Sequence, residues 1–295
     1  MTQIKENLYP VRIEYDPETE GPSRLFHSLG ELIESFKKSD EILAASIGAE
    51  IKVKQYLKSV EDGSIIAWIK NKIEIPDQNT LSHQPTNVDV ETFLNNGKQI
   101  IVESLNKNKS FRKKEDFTEV KEKLKKNASN TNNGSDFNYK EIDTLALASN
   151  IKSITDAVKK LNANEKAFIG NLENKSEIPK DTEIFISEIR ESFIAETIES
   201  EGEKILKIKR IDFLGESMWD FKFGTTPIPA KINDEKWMKK FHNREINLYP
   251  GDALHVLLKT KSDYDKRGSL ILEHNEVLKV IKIIPNLDKQ PGLYS

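Results

Sequence analysis

The chain has 295 residues, with 45 lysines and arginines against 48 aspartates and glutamates, and it contains no cysteine. The lack of cysteine excludes disulfide scaffolds, cysteine-ligated zinc fingers, thiolate enzymes and iron–sulfur sites. A hydrophobic share of 37%, a charged share of 32% and a mean hydropathy of -0.58 indicate a globular protein with a strongly solvated surface.

The length favours two domains, because a single hydrophobic core stops growing at about 250–300 residues. No apolar run approaches the roughly 18 residues that a membrane span needs. The first residues, Met1–Glu6, also lack the apolar region of a secretion signal. We therefore expect a protein of the cytoplasm that does not bind membranes.

The first part of the chain predicts a β-α-β-β unit over residues 8–75. Alternating apolar residues near its start indicate a strand. Apolar residues at intervals of three and four then predict one long helix, which Ser23 is placed to cap and Gly48 to end. Two further strands are expected on either side of a tight turn at Asp62-Gly63.

More helices are expected after a polar linker over residues 76–86. Their apolar stripes lie at Val90–Leu105, Phe117–Leu124 and Ile142–Leu161. Residues 127–138 are rich in Asn, Ser and Gly, which predicts a flexible loop. A helical layer over a small sheet is the simplest assembly, so residues 1–162 are predicted to form an α/β scaffold domain.

Beyond residue 162 the apolar pattern changes to short, strand-sized runs. We assign residues 163–190 to a connecting segment, residues 191–285 to a second domain and residues 286–295 to a tail. This division places nearly all of the late strand-like segments in one compact unit.

The second domain is predicted to be a small β-barrel or rolled sheet with one short helix. Trp219–Gly224 alternates between apolar and polar residues, as does Ile228–Ile232. Asp234 is placed to cap a short helix over Glu235–His242. With five to seven short strands, this pattern fits a barrel that one helix closes at an end. The whole chain is therefore predicted to be an α+β protein.

Charge is unevenly distributed along the chain. Residues 204–282 carry 16 basic and 11 acidic side chains, and residues 98–126 carry 10 and 5. Residues 177–203 carry 2 basic and 9 acidic side chains. The two basic regions are the electrostatic indication of a polyanionic partner, although solvated helix faces have similar compositions.

Several catalytic motifs are missing. The phosphate-binding patterns G-x-x-x-x-G-K-[ST] and G-x-G-x-x-G do not occur, nor do the hydrolase patterns G-x-S-x-G and H-E-x-x-H. P-loop nucleotide hydrolysis and these two hydrolase classes are therefore excluded. We assign no catalytic residue, no cofactor and no metal ligand.

A metal-dependent nuclease is the enzymatic alternative. Such enzymes place an acidic residue upstream of an acid-x-Lys triplet, as Asp40 stands before Glu50-Ile51-Lys52. Chance alone yields about six acid-x-Lys triplets in a chain of this composition, so the match has little weight without confirming geometry.

The histidines show no spacing that indicates a shared site. A catalytic base or a metal site usually needs a paired nucleophile or a second ligand nearby. We therefore expect structural or surface roles for all five, which are His27, His83, His242, His255 and His274.

The C-terminal region carries the candidate binding residues. Small barrels bind single-stranded nucleic acid by stacking bases on exposed rings above a basic groove. The candidate cations are Lys207, Lys209, Arg210, Lys222 and Arg244. The candidate rings are Trp219, Phe221, Phe223, Tyr249 and Tyr264. Alternation places the first three rings on one side of a strand, which favours a role in the barrel core.

Four segments resemble uncharacterised bacterial proteins that are often encoded among mobile-element and phage-defence genes. These segments are Asp62–Ile69, Trp219-Asp220-Phe221-x-x-Gly224, Ala230-x-Ile232-x-Asp234-x-x-Trp237 and Pro250–Leu254. The resemblance covers both ends of the chain and leaves the middle unmatched. It implies a bacterial, cytoplasmic protein with an accessory role in defence, and it implies no activity or site residue.

The sequence therefore predicts a non-enzymatic binding or assembly module. The α/β half would form a scaffold or an interface between copies, and the barrel would engage a protein or a polyanion. Nucleic-acid binding by the basic barrel is the first alternative, and a metal-dependent nuclease is the second.

Overall fold

The structure is a computed structural model that describes residues 3–18, 20–48, 52–61, 64–75, 89–131, 139–171, 173–213, 217–249 and 251–286. The chain divides into two compact units, Met1–Ser192 and Phe193–Ser295. The first unit mixes helices and strands and the second is a closed five-stranded barrel, so the predicted α+β class and both predicted architectures are confirmed. No helix in the described ranges is long and apolar enough to cross a membrane.

The first unit is built on a five-stranded sheet. Its elements are β1 (Gln3–Glu14), α1 (Ser23–Ile47), β2 (Lys52–Glu61), β3 (Ile65–Ile75), α2 (Val90–Lys107), β4 (Ser110–Phe111), α3 (Thr118–Asn130), α4 (Thr144–Val158), β5 (Lys166–Ile169), β6 (Ser176–Glu177), β7 (Glu183–Ile184) and α5 (Ile186–Glu191). The sheet has the order β2-β3-β1-β5-β6, and a separate two-stranded sheet joins β4 to β7. Because β3 is antiparallel to both β1 and β2, and β5 is antiparallel to β1, the order of these four strands is that of a β-α-β-β-α-β sheet, although α2, β4, α3 and α4 stand where that arrangement has a single helix.

The helices of this unit cover one face of the sheet. Alternate residues of β1, including Val11 and Ile13, are fully buried beneath α1 and α2. From α1, Leu32 and Phe36 pack into the same core with no exposed surface. Apart from the buried Pro10, the described side chains on the opposite side of β1 to β3 are exposed or half-buried, as expected for an antiparallel sheet with one covered face.

A fully buried ion pair joins the helical layer to the sheet. Lys98 of α2 donates from Nζ to Asp40 Oδ1 of α1, and both side chains are almost completely shielded from solvent. Asn71 of β3 donates to Asp40 Oδ2 at 2.8 Å. Lys98 Nζ also lies 4.1 Å from the ring centroid of Tyr9 on β1. Two helices and two strands are therefore fixed to one another by a single polar cluster.

Three sequence predictions for the first unit need correction. Ser23 does not cap α1; it is the first helical residue, and Pro22 precedes it without a side-chain cap. Residues 127–130 are the last turn of α3, where Asn127 donates to the Phe93 carbonyl at 2.9 Å and Ala128 is buried. This tertiary anchoring overrides their polar composition, while residues 132–138 lie outside the described residues.

The segment 163–190, expected to be a connection, belongs to the first unit. Its strand β5 pairs with β1 from Val11 to Glu14, and β6 pairs with β5 at the edge of the sheet. Short strands of two to four residues carry too little periodicity to be recognised in the sequence. The predicted linker over residues 76–86 and most of the tail, residues 287–295, lie outside the described residues.

The second unit is a barrel of long and short strands. Its elements are β8 (Glu196–Arg210), β9 (Trp219–Phe223), β10 (Thr226–Ile232), α6 (Glu235–His242), β11 (Ala253–Tyr264) and β12 (Leu270–Ile284). The barrel closes in the order β10-β12-β11-β8-β9. All neighbouring strands are antiparallel except β10 and β12, which are parallel where Lys231 and Ile232 meet Glu276 and Val277. A five-stranded Greek-key barrel with this order, and with a helix between its third and fourth strands, has the topology of the OB fold.

The predicted helix α6 is confirmed at its predicted bounds and packs on the barrel core. The ring of Phe241 in α6 contacts the buried Trp219 of β9, with ring centroids 5.2 Å apart. Asp234 holds the helix in place through both carboxylate oxygens. Oδ1 accepts from the Trp237 backbone N–H at 3.0 Å, and Oδ2 accepts from the Val280 N–H of β12 at 3.0 Å.

We expect Asp234→Ala to lower the free energy of unfolding of the barrel by about 2 kcal/mol, because a helix cap and a second hydrogen bond each contribute about 1 kcal/mol. Urea unfolding followed by tryptophan fluorescence measures the change. The exposed neighbour Glu235 provides the control, since Glu235→Ala is expected to stay within about 0.5 kcal/mol of the wild type. Equal effects of the two substitutions would contradict the role of Asp234.

For the buried pair, we expect Lys98→Met alone to lower the free energy of unfolding by about 3–5 kcal/mol, because it leaves the Asp40 carboxylate buried without a counter-charge. The double variant Lys98→Met/Asp40→Asn should recover most of this loss, since the new amide still accepts from Asn71. Urea unfolding followed by far-UV circular dichroism measures both. Lys125→Met, at an exposed lysine of α3, is the matched control. A double variant no more stable than Lys98→Met would contradict this account.

Candidate functional site

The outer surface of β9, β10 and the Lys207–Arg210 end of β8 carries five cations, and we call it the barrel face. The buried residues Leu206, Phe221 and Ile228 point into the core, so their neighbours along each strand point outward. The cations on this surface are Lys207, Lys209 and Arg210 of β8, Lys222 of β9 and Lys231 of β10, and all five are exposed.

Two lysines of the barrel face lie directly opposite each other. Lys207 of β8 is the cross-strand neighbour of Lys222 of β9. In the described parts of the chain, no carboxylate lies within 4.0 Å of either ammonium group. Like charges at directly opposed positions destabilise a sheet. The pair therefore costs folding energy that an anion bound between the two lysines would offset.

The other cations of the barrel face are partly balanced. Arg210 forms an ion pair with Asp220 of β9, at 3.0 Å from Nε to Oδ2. Lys231 lies opposite Glu276 of β12 in the parallel pair, and no ion pair joins their side chains. Lys209 stands at the irregularity between Ile208 and Arg210, where the strand pairing shifts. The net charge of the barrel face is therefore positive, with its excess at Lys207 and Lys222.

Apolar groups lie between the cations of the barrel face. Pro227 and Pro229 of β10 are exposed opposite Lys222 and Asp220, and Met218 is 51% exposed at the start of β9. Among the described strands, β10 pairs with β12 only at its last two residues, so these prolines stand along a free edge. Proline is tolerated there because the edge needs no N–H donor. The surface thus combines positive charge with rigid apolar contacts.

The structure brings four of the five predicted cations together. Arg244 is the exception, because it follows α6 in the left-handed backbone region, with φ 61°, and belongs to none of the three strands. Lys231 was not predicted, although the Pro-x-Pro-x-Lys alternation of β10 carried the signal. Once Ile228 and Ile232 point inward, Lys231 must point outward.

The predicted rings divide between the core and the surface. Trp219 and Phe221 are buried inside the barrel, as alternation favoured. Phe223 is 48% exposed at the end of β9, where Lys204 Nζ lies 5.1 Å from its ring centroid. Tyr249 is 67% exposed and Tyr264 is half-buried. Phe223 is therefore open to solvent, but alternation along β9 directs its ring to the opposite side of the strand from Lys222.

The two described residues of the nuclease alternative, Asp40 and Lys52, do not converge. Asp40 lies in the core of the first unit, where burial raises the pKa of its carboxyl against the attraction of Lys98. Lys52 is exposed on β2 and points away from the face of the sheet that the helices cover. Glu50 lies outside the described residues. The geometry gives the nuclease alternative no support.

Four of the five histidines lie within the described residues, on α1, α6, β11 and β12. His255 pairs with Glu203 across β11 and β8, at 2.9 Å from Nε2 to Oε2. His27, His242 and His274 are exposed, and His83 lies outside the described residues. Within the ranges that the structure describes, no three His, Asp or Glu side chains are grouped so that they could hold a metal ion.

Comparisons with known proteins identify no relative. No protein-family profile, curated protein or solved structure matches the chain. The resemblance to defence-associated bacterial proteins therefore stays a prediction. Because one fold serves many functions, the function is inferred from the chemistry of the barrel face and from its position on the fold.

Proposed function

We propose that the protein is a non-enzymatic binding module whose barrel face binds single-stranded nucleic acid. The ligand follows from two properties of this surface. Its excess positive charge suits a phosphate backbone, and its exposed apolar groups suit unstacked bases. The resemblance to bacterial defence-associated proteins would make such a module an accessory component of a defence system.

The observation that carries this proposal is the opposed pair Lys207 and Lys222. Both ammonium groups are exposed and neither has a carboxylate partner among the described residues. A phosphate seated between them would neutralise the repulsion and release condensed counterions from the nucleic acid. The energy lost by placing two lysines together in the free protein is thereby regained on binding.

The position of the pair in the fold supports the same ligand. In OB-type barrels the surface of the second and third strands receives oligonucleotides or oligosaccharides. Here those strands are β9 and β10, and they carry Lys222, Lys231 and the two exposed prolines. A neutral oligosaccharide would leave the charge of the lysines unbalanced, so the charge favours the nucleic acid.

We expect the protein to bind a fluorescently labelled oligothymidylate with an affinity that falls steeply with salt. In a plot of log association constant against log salt concentration, each phosphate contact should contribute about −0.7 to the slope. Lys222→Glu and Lys207→Glu should each weaken binding on the order of tenfold and flatten the salt slope. Fluorescence anisotropy over a series of salt concentrations measures both effects.

Lys125→Glu is the matched control, because it makes the same change of charge at an exposed lysine of α3 in the other unit. The proposal predicts wild-type binding for this variant. Binding that is unchanged in both barrel variants, or that weakens equally in the control, would refute the barrel face as the site. Tighter binding of duplex than of single-stranded DNA would refute the proposed ligand.

A further inference from the structure

The sheet of the first unit has a second surface on which lysines gather around an exposed ring. This surface, which we call the sheet face, is the side of β1 to β3 that the helices of the first unit leave uncovered. Lys52, Lys54 and Tyr56 of β2 point to it, together with Lys70, Lys72 and Glu74 of β3. All of these side chains are exposed or half-buried.

Three lysines of the sheet face surround one carboxylate. Glu74 binds Lys54 at 2.8 Å, and its pKa is lowered mainly by this hydrogen bond and further by the charges of Lys54, Lys72 and Lys52. Lys72 lies directly opposite Lys54 on β3, and Glu6, its neighbour on β1, binds Lys70 instead at 2.7 Å. Positive charge therefore remains in excess at Lys72 and Lys52.

The lysine at position 72 distinguishes this arrangement from the protection of a sheet edge. Lysines on an edge strand such as β2 discourage pairing with another chain. Lys72 stands on β3, between β2 and β1, where it protects no edge. Repulsion between the opposed Lys54 and Lys72 works against folding, as it does at the barrel face, and Glu74 offsets it only at Lys54.

An aromatic ring completes the sheet face. Tyr56 follows Lys54 by two residues on β2, so both side chains point the same way, and its side chain is 48% exposed. Across the sheet it faces Lys70, and beyond Lys70 lies Leu8 of β1, which is 37% exposed. An exposed ring beside the Lys54–Lys72 pair, in which Lys72 has no carboxylate partner among the described residues, can stack a base while the lysines hold the adjoining phosphate.

We propose that the sheet face is a second binding site for single-stranded nucleic acid, in which Tyr56 stacks a base and Lys54 and Lys72 hold a phosphate. The carrying observation is the juxtaposition of the Lys54–Lys72 pair and the exposed Tyr56 ring on one open face of the sheet. This site stands on its own residues and does not depend on the barrel face.

The test uses the full chain with and without the barrel changes Lys207→Glu/Lys222→Glu, and measures anisotropy of a labelled oligothymidylate. In the barrel variant we expect residual binding that Tyr56→Ala or Lys72→Glu weakens about tenfold, while Tyr56→Phe retains it because the ring remains. An abasic strand of the same length should bind equally to the barrel variant and to the barrel variant that also carries Tyr56→Ala.

Two controls on the first unit exclude general effects. Phe26→Ala removes a ring that is 62% exposed on α1, and Lys125→Glu reverses a charge on α3, and both should leave the residual binding unchanged. Circular dichroism verifies that each variant is folded. Sedimentation velocity shows whether a variant changes the oligomeric state.

The outcomes separate this inference from the proposed function. No residual binding in the barrel variant, or residual binding that ignores Tyr56→Ala and Lys72→Glu, overturns the sheet face and leaves the barrel face in place. Wild-type binding that survives the barrel changes intact but is lost on Lys72→Glu supports the sheet face and overturns the barrel face. Variants that alter only self-association show that the sheet face contacts a second copy and overturn the inference.

Discussion

The ion pair between Asp40 and Lys98 constrains how α1 and α2 pack on the buried face of the first sheet. Two opposite charges taken out of water are tolerated only when they remain together and keep their hydrogen bonds, so α1 and α2 must lie side by side over Asn71 and Tyr9. Both helices are thereby held to one face of β1 to β3. On the other face most of the described side chains are exposed or half-buried.

The barrel also separates buried from exposed side chains, because its sheet closes around a core. Its aromatic and aliphatic side chains fill the interior, where Trp219, Phe221 and Phe241 are buried. The side chains that point outward from each strand remain available to contact a ligand. In both units, the outward positions include a directly opposed pair of lysines, Lys54–Lys72 and Lys207–Lys222. Repulsion between opposed lysines works against folding stability, and departures of this kind from the rules of stable packing are expected at functional surfaces.

Much of the organisation could be predicted from local pattern. The stripe of α1, the alternation of β9 and β10 and the cap at Asp234 each depend on residues close in sequence, and the structure contains all three elements. The incorrect predictions also have physical causes. Asn127 and Ala128 are helical because they pack against α2, and β5 is a strand because β1 offers it an edge. Contacts from distant parts of the chain leave no local period to detect.

The sequence by itself determined the class of the protein, the long helices, the helix that closes the barrel and the basic character of the C-terminal region. These properties follow from composition and from periods of two and 3.6 residues. Only the tertiary structure decided that Lys98 is buried while Lys207 and Lys222 are opposed on the surface. Strand register and the choice of covered face set those environments, and both arise from pairings between segments far apart in the chain.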